Sequence, residues 1–230
     1  MPELVPGPIH HFVALLRSRV VWLQNRQLAL HQIKQELVDG VFPHQPDHEM
    51  TIWEIANDSI DKASMLVATE DDRTNLNFWD QFGGDGTPLQ WTKPPRLQPF
   101  AGKKQSKPKP RADISPFRPG SLALNARARD ALGDFLEQFG QLLEIDVLGQ
   151  VEYYCNITNV IDCIDLDRSE VLPGGFIRKP VFKDALIPAQ AVVFKAAAHP
   201  PSIYVNDAAK TELEKRIADS GITGMSFKKA

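Results

Sequence analysis

The chain has 230 residues, 43% of them hydrophobic, with 18 prolines, 14 glycines and a net charge of −3. This length can bury a substantial core, and the proline and glycine content argues against a long helical bundle and for short elements joined by turns. No stretch of about 18 apolar residues occurs, and Arg17 and Arg19 interrupt FVALLRSRVVWL, so we expect neither a membrane-spanning helix nor a signal peptide but a cytoplasmic protein without membrane contact.

The N-terminal segment has the pattern of an amphipathic helix. Between residues 9 and 39, apolar residues recur at alternating steps of three and four. Pro8 suits the first helical position, and Gly40 ends the segment. We therefore predict a helical extension over residues 1–45, followed by an α+β domain over residues 46–230. The apolar stripe favours packing on the chain's own domain, and homo-oligomerisation through this helix is the alternative.

Strand and turn patterns open the predicted domain. TIWEIA from Thr51 and SMLVAT from Ser64 are predicted strands, and an aromatic and turn-rich segment follows them. Its glycines, Gly83, Gly84 and Gly86, match no phosphate-binding pattern, so we interpret them as turn residues.

A basic run follows the turn-rich segment. Residues 102–111 contain no acid and carry a local charge of +5, from Lys103, Lys104, Lys107, Lys109 and Arg111. We predict an exposed basic loop at about residues 101–112. Because the run lacks interleaved aromatic residues for stacking bases, a solvated linker is favoured and no nucleic acid is expected, with a nucleic-acid-binding adaptor as the alternative.

The second half of the chain alternates helices and strands. SLALNARARDALGDFLEQF from Ser121 is predicted as a helix, and LLEIDVL and VEYYCNIT are predicted strands with a tight connection at Gly149. AVVFKAA and SIYV are further strands. Asn206 or Asp207 caps a last helix that Gly221 ends, and ITGMSF returns as a strand. These elements predict a mixed sheet with packed helices.

Acidic residues are concentrated in the same half. Residues 130–170 hold ten acids against Arg168 alone, a local charge of −9. A negative patch attracts a basic partner and selects against partners of the wrong sign. The predicted partner contacts are the acids of this band and two tyrosines as aromatic anchors, of which strand alternation lets at most one face outward: Glu144, Asp146, Glu152, Tyr153, Tyr154, Asp162, Asp165, Asp167 and Glu170.

The acidic stretch does not match the patterns that common catalytic sites require. Counted from Asp165, it has neither the glycine nor the glutamate of a calcium loop, and the chain has no G-x-S-x-G nucleophile turn. Asp165 and Asp167 also suit backbone capping at a strand end. We therefore expect no metal, no cofactor and no catalysis, with a metal-assisted hydrolase that uses Asp162, Asp165 and Asp167 as the alternative. Cys155 and Cys163 are expected to be buried thiols.

The order of several motifs resembles a known family. NFWDQFGGDG, PLQWTKPPRLQ, YYCNITNVIDCIDLDRSEV and a closing IYVND with GITGMSF resemble polymorphic-toxin immunity proteins of family eleven, formerly a domain of unknown function, over about residues 50–227. The resemblance implies a non-enzymatic protein that binds and neutralises a cognate toxin effector. An acidic patch would suit the basic groove of a nuclease toxin, which is a hypothesis from the charge count.

Overall fold

The domain that follows the N-terminal segment combines strands and helices. A computed structural model describes residues 50–57, 63–72, 76–100 and 109–230, all within one compact unit, Glu49–Ala230. Two large sheets are accompanied by helices, which confirms the predicted α+β class. The predicted N-terminal helix and most of the predicted basic loop lie outside the described residues.

Most of the described elements are short, as the proline and glycine content predicts. In chain order they are β1 (Ile52–Ala56), β2 (Leu66–Ala68), α1 (Leu76–Asp80), β3 (Arg96–Pro99), β4 (Ile114–Ser115), β5 (Leu122–Leu124), α2 (Ala126–Leu136), β6 (Gly140–Val147), β7 (Gln150–Ile157), β8 (Val160–Ile161), β9 (Glu170–Val171), β10 (Ile177–Lys179), β11 (Val193–Ala196), β12 (His199–Asn206), α3 (Asp207–Ser220) and β13 (Ser226–Lys229).

The five-stranded sheet has the strand order β13-β1-β12-β11-β8. Its pairs are antiparallel except for β8, which lies parallel to β11. The predicted C-terminal strand, helix and strand are present as β12, α3 and β13, but β1 lies between the two strands. The first strand of the domain therefore pairs with its last two strands.

The six-stranded sheet has the strand order β2-β3-β6-β7-β5-β4 and curls until its edges meet. Leu66 N donates to the carbonyl of Pro116 at 2.8 Å, and Ser64 N donates to the carbonyl of Pro110 at 2.9 Å. These bonds satisfy backbone groups that an open edge would leave unpaired. The inner face of the sheet consequently encloses a core of its own.

Aromatic side chains fill the inner face of the six-stranded sheet. The ring centroid of Phe82 lies 4.8 Å from that of Phe117 and 5.3 Å from that of Tyr154. The Tyr154 hydroxyl donates to the carbonyl of Gly83 at 2.9 Å, which satisfies its polar end in an apolar core. The segment predicted only as turns therefore contains a short helix, α1, and its aromatic side chains fill the interior of the curled sheet. We call residues 78–91 the aromatic plug.

The main core lies where α2 and α3 pack against both sheets. Amphipathic helices must bury their apolar faces, and here strand residues from each sheet provide the opposing surface. The cluster includes Leu132 and Leu136 of α2, Leu213 of α3, Cys155 and Ile157 of the six-stranded sheet, and Val193 and Val205 of the five-stranded sheet. None of the helices in the described ranges is long and apolar enough to cross a membrane.

Residues 161–187 form a layer over the other face of the five-stranded sheet. Cys163, Ile164 and Ile177 pack there against Phe194 and Tyr204. Within this layer β9 and β10 form a separate two-stranded hairpin. The predicted acidic stretch therefore belongs to a segment that its buried apolar residues hold on the sheet.

Asparagine caps set the starts of the two longer helices. The Oδ1 atom of Asn125 accepts from Ala128 N, and that of Asn206 accepts from Ala209 N, both at 2.9 Å. Gly221 ends α3 with a left-handed φ of 64°. The predicted helix start at Ser121 is wrong, because Leu122–Leu124 pairs with β7 as a strand and the helix begins only after its cap.

A buried ammonium group links two loops and the start of a strand. The side chain of Lys195 on β11 is fully buried, and its Nζ donates to the carbonyls of Gly84, Gly120 and Pro200 at 2.9, 2.5 and 2.9 Å. Burial lowers the pKa of Lys195 to about 8. The three acceptors match the three hydrogens of an ammonium, so the bonds offset its desolvation. Lys195 thereby joins the aromatic plug, the turn before β5 and the start of β12.

Replacing Lys195 by methionine should lower the free energy of unfolding by about 3–5 kcal/mol, because the three carbonyls lose their donor in a buried site. The exposed Lys183→Met is the matched control and should stay within about 0.5 kcal/mol of the unsubstituted chain. Urea unfolding measures both variants. A loss below about 1 kcal/mol for Lys195→Met would contradict the role of this residue.

Both cysteines should be unreactive in the folded protein. Cys155 and Cys163 are buried free thiols, as predicted, and burial raises their pKa values to about 12 and about 11. Because the thiolate is the reactive form, a disulfide reagent at pH 8 should react only as fast as the protein unfolds, and with both thiols in denaturant. Rapid labelling of the native protein would be the contrary result.

Candidate functional site

The predicted partner contacts are divided between two layers. Five of them, Glu144 to Tyr154, lie on β6 and β7 of the six-stranded sheet, whereas Asp162 to Glu170 lie in the layer over the five-stranded sheet. These residues are close along the chain, but the fold places them in two different surroundings.

One end of the β6–β7 pair presents an open outer face. Glu144 pairs with Tyr153, and Asp146 pairs with Val151. Since side chains alternate along a strand, these four residues share the face opposite the buried Ile145. Cross-strand neighbours on one face lie about 5 Å apart, so they form one continuous surface.

The turn between these strands carries an exposed leucine in an unfavourable conformation. Leu148 and Gly149 have φ values of 54° and 82°, the conformation of a two-residue turn that prefers Asn-Gly. A leucine there costs about 1–2 kcal/mol, and its side chain is 68% exposed. Asp146 Oδ1 accepts from Gly149 N at 2.6 Å and helps to hold the turn. Neither packing nor backbone preference explains why a leucine occupies this position.

The surface around the turn combines charge, apolar area and an aromatic ring. Val151 is 55% exposed, and the guanidinium carbon of Arg129 on α2 lies 5.6 Å from the ring centroid of Tyr153. We call the set the tip surface, and its members are Glu144, Asp146, Leu148, Val151 and Tyr153. Two carboxylates, two aliphatic side chains and a phenol are therefore available on one rigid hairpin.

Glu152 is not part of the tip surface. It is 5% exposed, and its two carboxylate oxygens accept from Arg111 at 2.5 and 2.6 Å. Strand alternation turns Glu152 to the inner face, where a buried carboxylate needs such a partner. The pairing corrects two expectations: Glu152 is not an exposed partner contact, and Arg111 is not part of a solvated linker.

The two adjacent tyrosines face opposite sides of the sheet, as their alternation predicts. Tyr154 is fully buried in the aromatic core, and burial raises its pKa. Tyr153 is half-buried on the outer face. Tyr154 is therefore a core residue and not a candidate contact, which leaves Tyr153 as the single aromatic anchor of the pair.

The acids from Asp162 to Glu170 have varied environments. Asp165 Oδ1 accepts from Arg168 N at 3.3 Å, which agrees with its predicted local capping role. Glu170 forms ion pairs with two basic residues of the neighbouring strand. Asp162 and Asp167 are exposed. In the described ranges, no group of three or more His, Cys, Asp or Glu side chains is placed to hold a metal ion.

A polar cluster on the five-stranded sheet brings a serine close to ionisable groups. Ser202 Oγ donates to Glu54 Oε1 at 2.5 Å, and the Tyr204 hydroxyl lies 2.6 Å from His199 Nδ1. Burial raises the pKa of Tyr204, so its hydroxyl stays protonated at neutral pH. His199 thus bonds to Tyr204 and not to Ser202, and the cluster supports the sheet rather than forming a serine-histidine pair.

The exposed apolar residues Leu148 and Val151 were not predicted from the sequence. The available signal was a leucine before Gly149 at a predicted tight connection, where asparagine is the preferred residue. Phe176, at 74% the most exposed large apolar residue in the described ranges, was not predicted either, because GGF signals only a turn.

The comparisons with known proteins add no relative. Neither the scan against protein-family models nor the search of the curated proteins finds a match for this chain. The candidate surface therefore rests on its geometry.

Truncating Glu152 and Glu144 should lower the free energy of unfolding by different amounts. Glu152→Ala should lower the free energy of unfolding by about 2–4 kcal/mol, since it leaves the Arg111 charge without its partner. Glu144→Ala on the adjacent strand should change it by at most about 0.5 kcal/mol, because that side chain is exposed. Thermal and urea unfolding of both variants check this difference, and equal losses would contradict the assignment.

Proposed function

We propose that this chain is an immunity protein that binds a cognate toxin effector domain and neutralises it by stoichiometric occlusion. It does so in the cytoplasm of the producing cell and without catalysis. The motif resemblance and the tip surface support this proposal. The observation that carries it is Leu148, an exposed leucine held in a left-handed turn beside Glu144 and Asp146.

The tip surface has the composition of a protein-binding site. Interfaces combine an apolar centre with a polar rim, and aromatic residues are frequent among those that dominate affinity. Leu148 and Val151 provide the apolar centre, Tyr153 the aromatic side chain, and the two carboxylates the rim. The antiparallel pairing of β6 and β7 holds these groups in fixed relative positions, which limits the entropy lost on binding.

The charge of the tip surface favours a basic partner. Among the described residues, the carboxylate of Glu144 has no ion-pair partner, and that of Asp146 accepts one backbone hydrogen bond. A basic groove, such as one that binds phosphates in a nuclease toxin, would be attracted by these carboxylates. Binding of this kind weakens as salt screens the charges.

Leu148→Asn should weaken toxin binding by at least about tenfold, because it removes the apolar centre of the contact. The same change should stabilise the isolated chain by up to about 1 kcal/mol, since asparagine accepts the left-handed conformation more readily. Isothermal titration with the toxin domain and thermal unfolding measure the two effects. A loss of binding with a gain in stability identifies a residue retained for recognition.

Co-expression tests the proposal as a whole. Cells that express the cognate toxin domain should survive with the unsubstituted chain and die with a Glu144→Lys, Leu148→Asn double variant. Asp162→Lys, in the other acidic layer, is the matched charge control and should protect. Failure of the unsubstituted chain to protect or to form a one-to-one complex would refute neutralisation. Protection by the double variant would refute the role of the tip surface.

A further inference from the structure

A second exposed apolar surface lies on the β9–β10 hairpin. Val171, Leu172 and Phe176 are 43%, 40% and 74% exposed, and they flank a turn in which Gly174 and Gly175 have φ values of 94° and 85°. Leu172 N donates to the carbonyl of Phe176 at 2.8 Å, so the turn is closed. The hairpin therefore presents an exposed apolar end on a hydrogen-bonded turn.

The hairpin is anchored on one side and basic on the other. Ile177 packs in the core of the outer layer and fixes the base of the hairpin. Arg178 and Lys179, which pair with Glu170, still leave 57% and 77% of their side chains exposed. The hairpin itself, residues 170–179, holds these two bases and one acid, a net charge of +1. Exposed basic side chains therefore follow Phe176 on the same strand of the hairpin.

The tip surface complements this hairpin in its apolar centre and in the sign of its charges. It has an apolar centre, Leu148 and Val151, and its rim carries the carboxylates of Glu144 and Asp146. Both surfaces are exposed within one copy, so neither covers the other in the same molecule. Opposite charges around apolar centres are the arrangement that steers two surfaces together and fixes their register.

We propose that the β9–β10 hairpin docks on the tip surface of a second copy of this chain. Phe176 and Leu172 of one copy contact Leu148 and Val151 of the other, and Arg178 and Lys179 face its two carboxylates. The contact joins two different surfaces, so it is heterologous. A second copy is favoured over another occupant because its complementary surface is present in the same structure.

This contact is expected to be weak and to compete with a partner at the tip surface. A few apolar side chains on each side place it among the small, transient interfaces, below about 1,200 Å². We expect a dissociation constant on the order of 100 μM at low salt. The inference does not depend on the proposed function, but a partner bound to the tip surface would release the second copy.

Sedimentation equilibrium of the full chain between about 10 and 500 μM tests the contact, a range that brackets the expected affinity. The average mass should rise with concentration at low salt and fall in 0.5 M salt, as charge screening requires. The hairpin variant Phe176→Ser and the tip variant Leu148→Asn should each remain monomeric over this range. Circular dichroism and thermal unfolding verify that both variants are folded.

Mixing the two variants provides the decisive result. The tip variant keeps an intact hairpin and the hairpin variant keeps an intact tip, so the mixture should form a one-to-one dimer that cannot extend. A concentration-independent mass for the unsubstituted chain, unchanged association in either variant, or no dimer in the mixture would each overturn the proposal. Binding of the hairpin to anionic vesicles with no self-association would identify a membrane as the occupant and overturn it as well. Toxin neutralisation is scored separately by co-expression.

Discussion

The burial of one ammonium group constrains how the two sheets are joined. Lys195 is fully buried on the five-stranded sheet, and removing a charge from water is tolerated only where hydrogen bonds replace its hydration. Its three acceptors lie in the aromatic plug, in the turn before β5 and at the start of β12. At Gly120, with a φ of 72°, a Cβ atom would lie 2.5 Å from the Nζ atom, so the close approach also requires glycine. The aromatic plug, the turn before β5 and the start of β12 are therefore held together by hydrogen bonds to one ammonium group.

The alternation of side chains on β6 and β7 separates folding from recognition. One face supplies Ile145, Glu152 and Tyr154 to the interior, and the other supplies Glu144 and Tyr153 to the surface. A single hairpin thus carries residues with unrelated tasks at consecutive positions. Because the inner face is buried, the outer face is held rigidly, which is the condition for a preorganised binding surface.

The acids of residues 130–170 do not form one continuous negative surface. The Glu152 charge is neutralised by Arg111, Glu170 pairs with basic residues of β10, and Asp165 caps a local turn. The carboxylates of the tip surface remain, next to exposed leucine and valine, and those of Asp162 and Asp167 remain exposed in the layer over the five-stranded sheet. A net charge counted along the chain therefore overestimates what a partner meets, because the fold uses part of it internally. Arg178 and Lys179 on the β9–β10 hairpin give the same domain exposed charges of the opposite sign.

Local signals in the sequence determined much of the secondary structure. The β6 and β7 patterns, the tight connection at Gly149, the Asn206 cap and the Gly221 end of the last helix all depend on neighbouring residues, so they were readable without a fold. The outward direction of one tyrosine of the pair followed from alternation alone. Only the tertiary structure decided that Arg111 pairs with Glu152, that Lys195 lies between three carbonyls, and that residues after Ser121 begin as a strand. These outcomes depend on which distant groups are buried together, and burial sets the energy of a charge or an edge strand without leaving a local pattern in the chain.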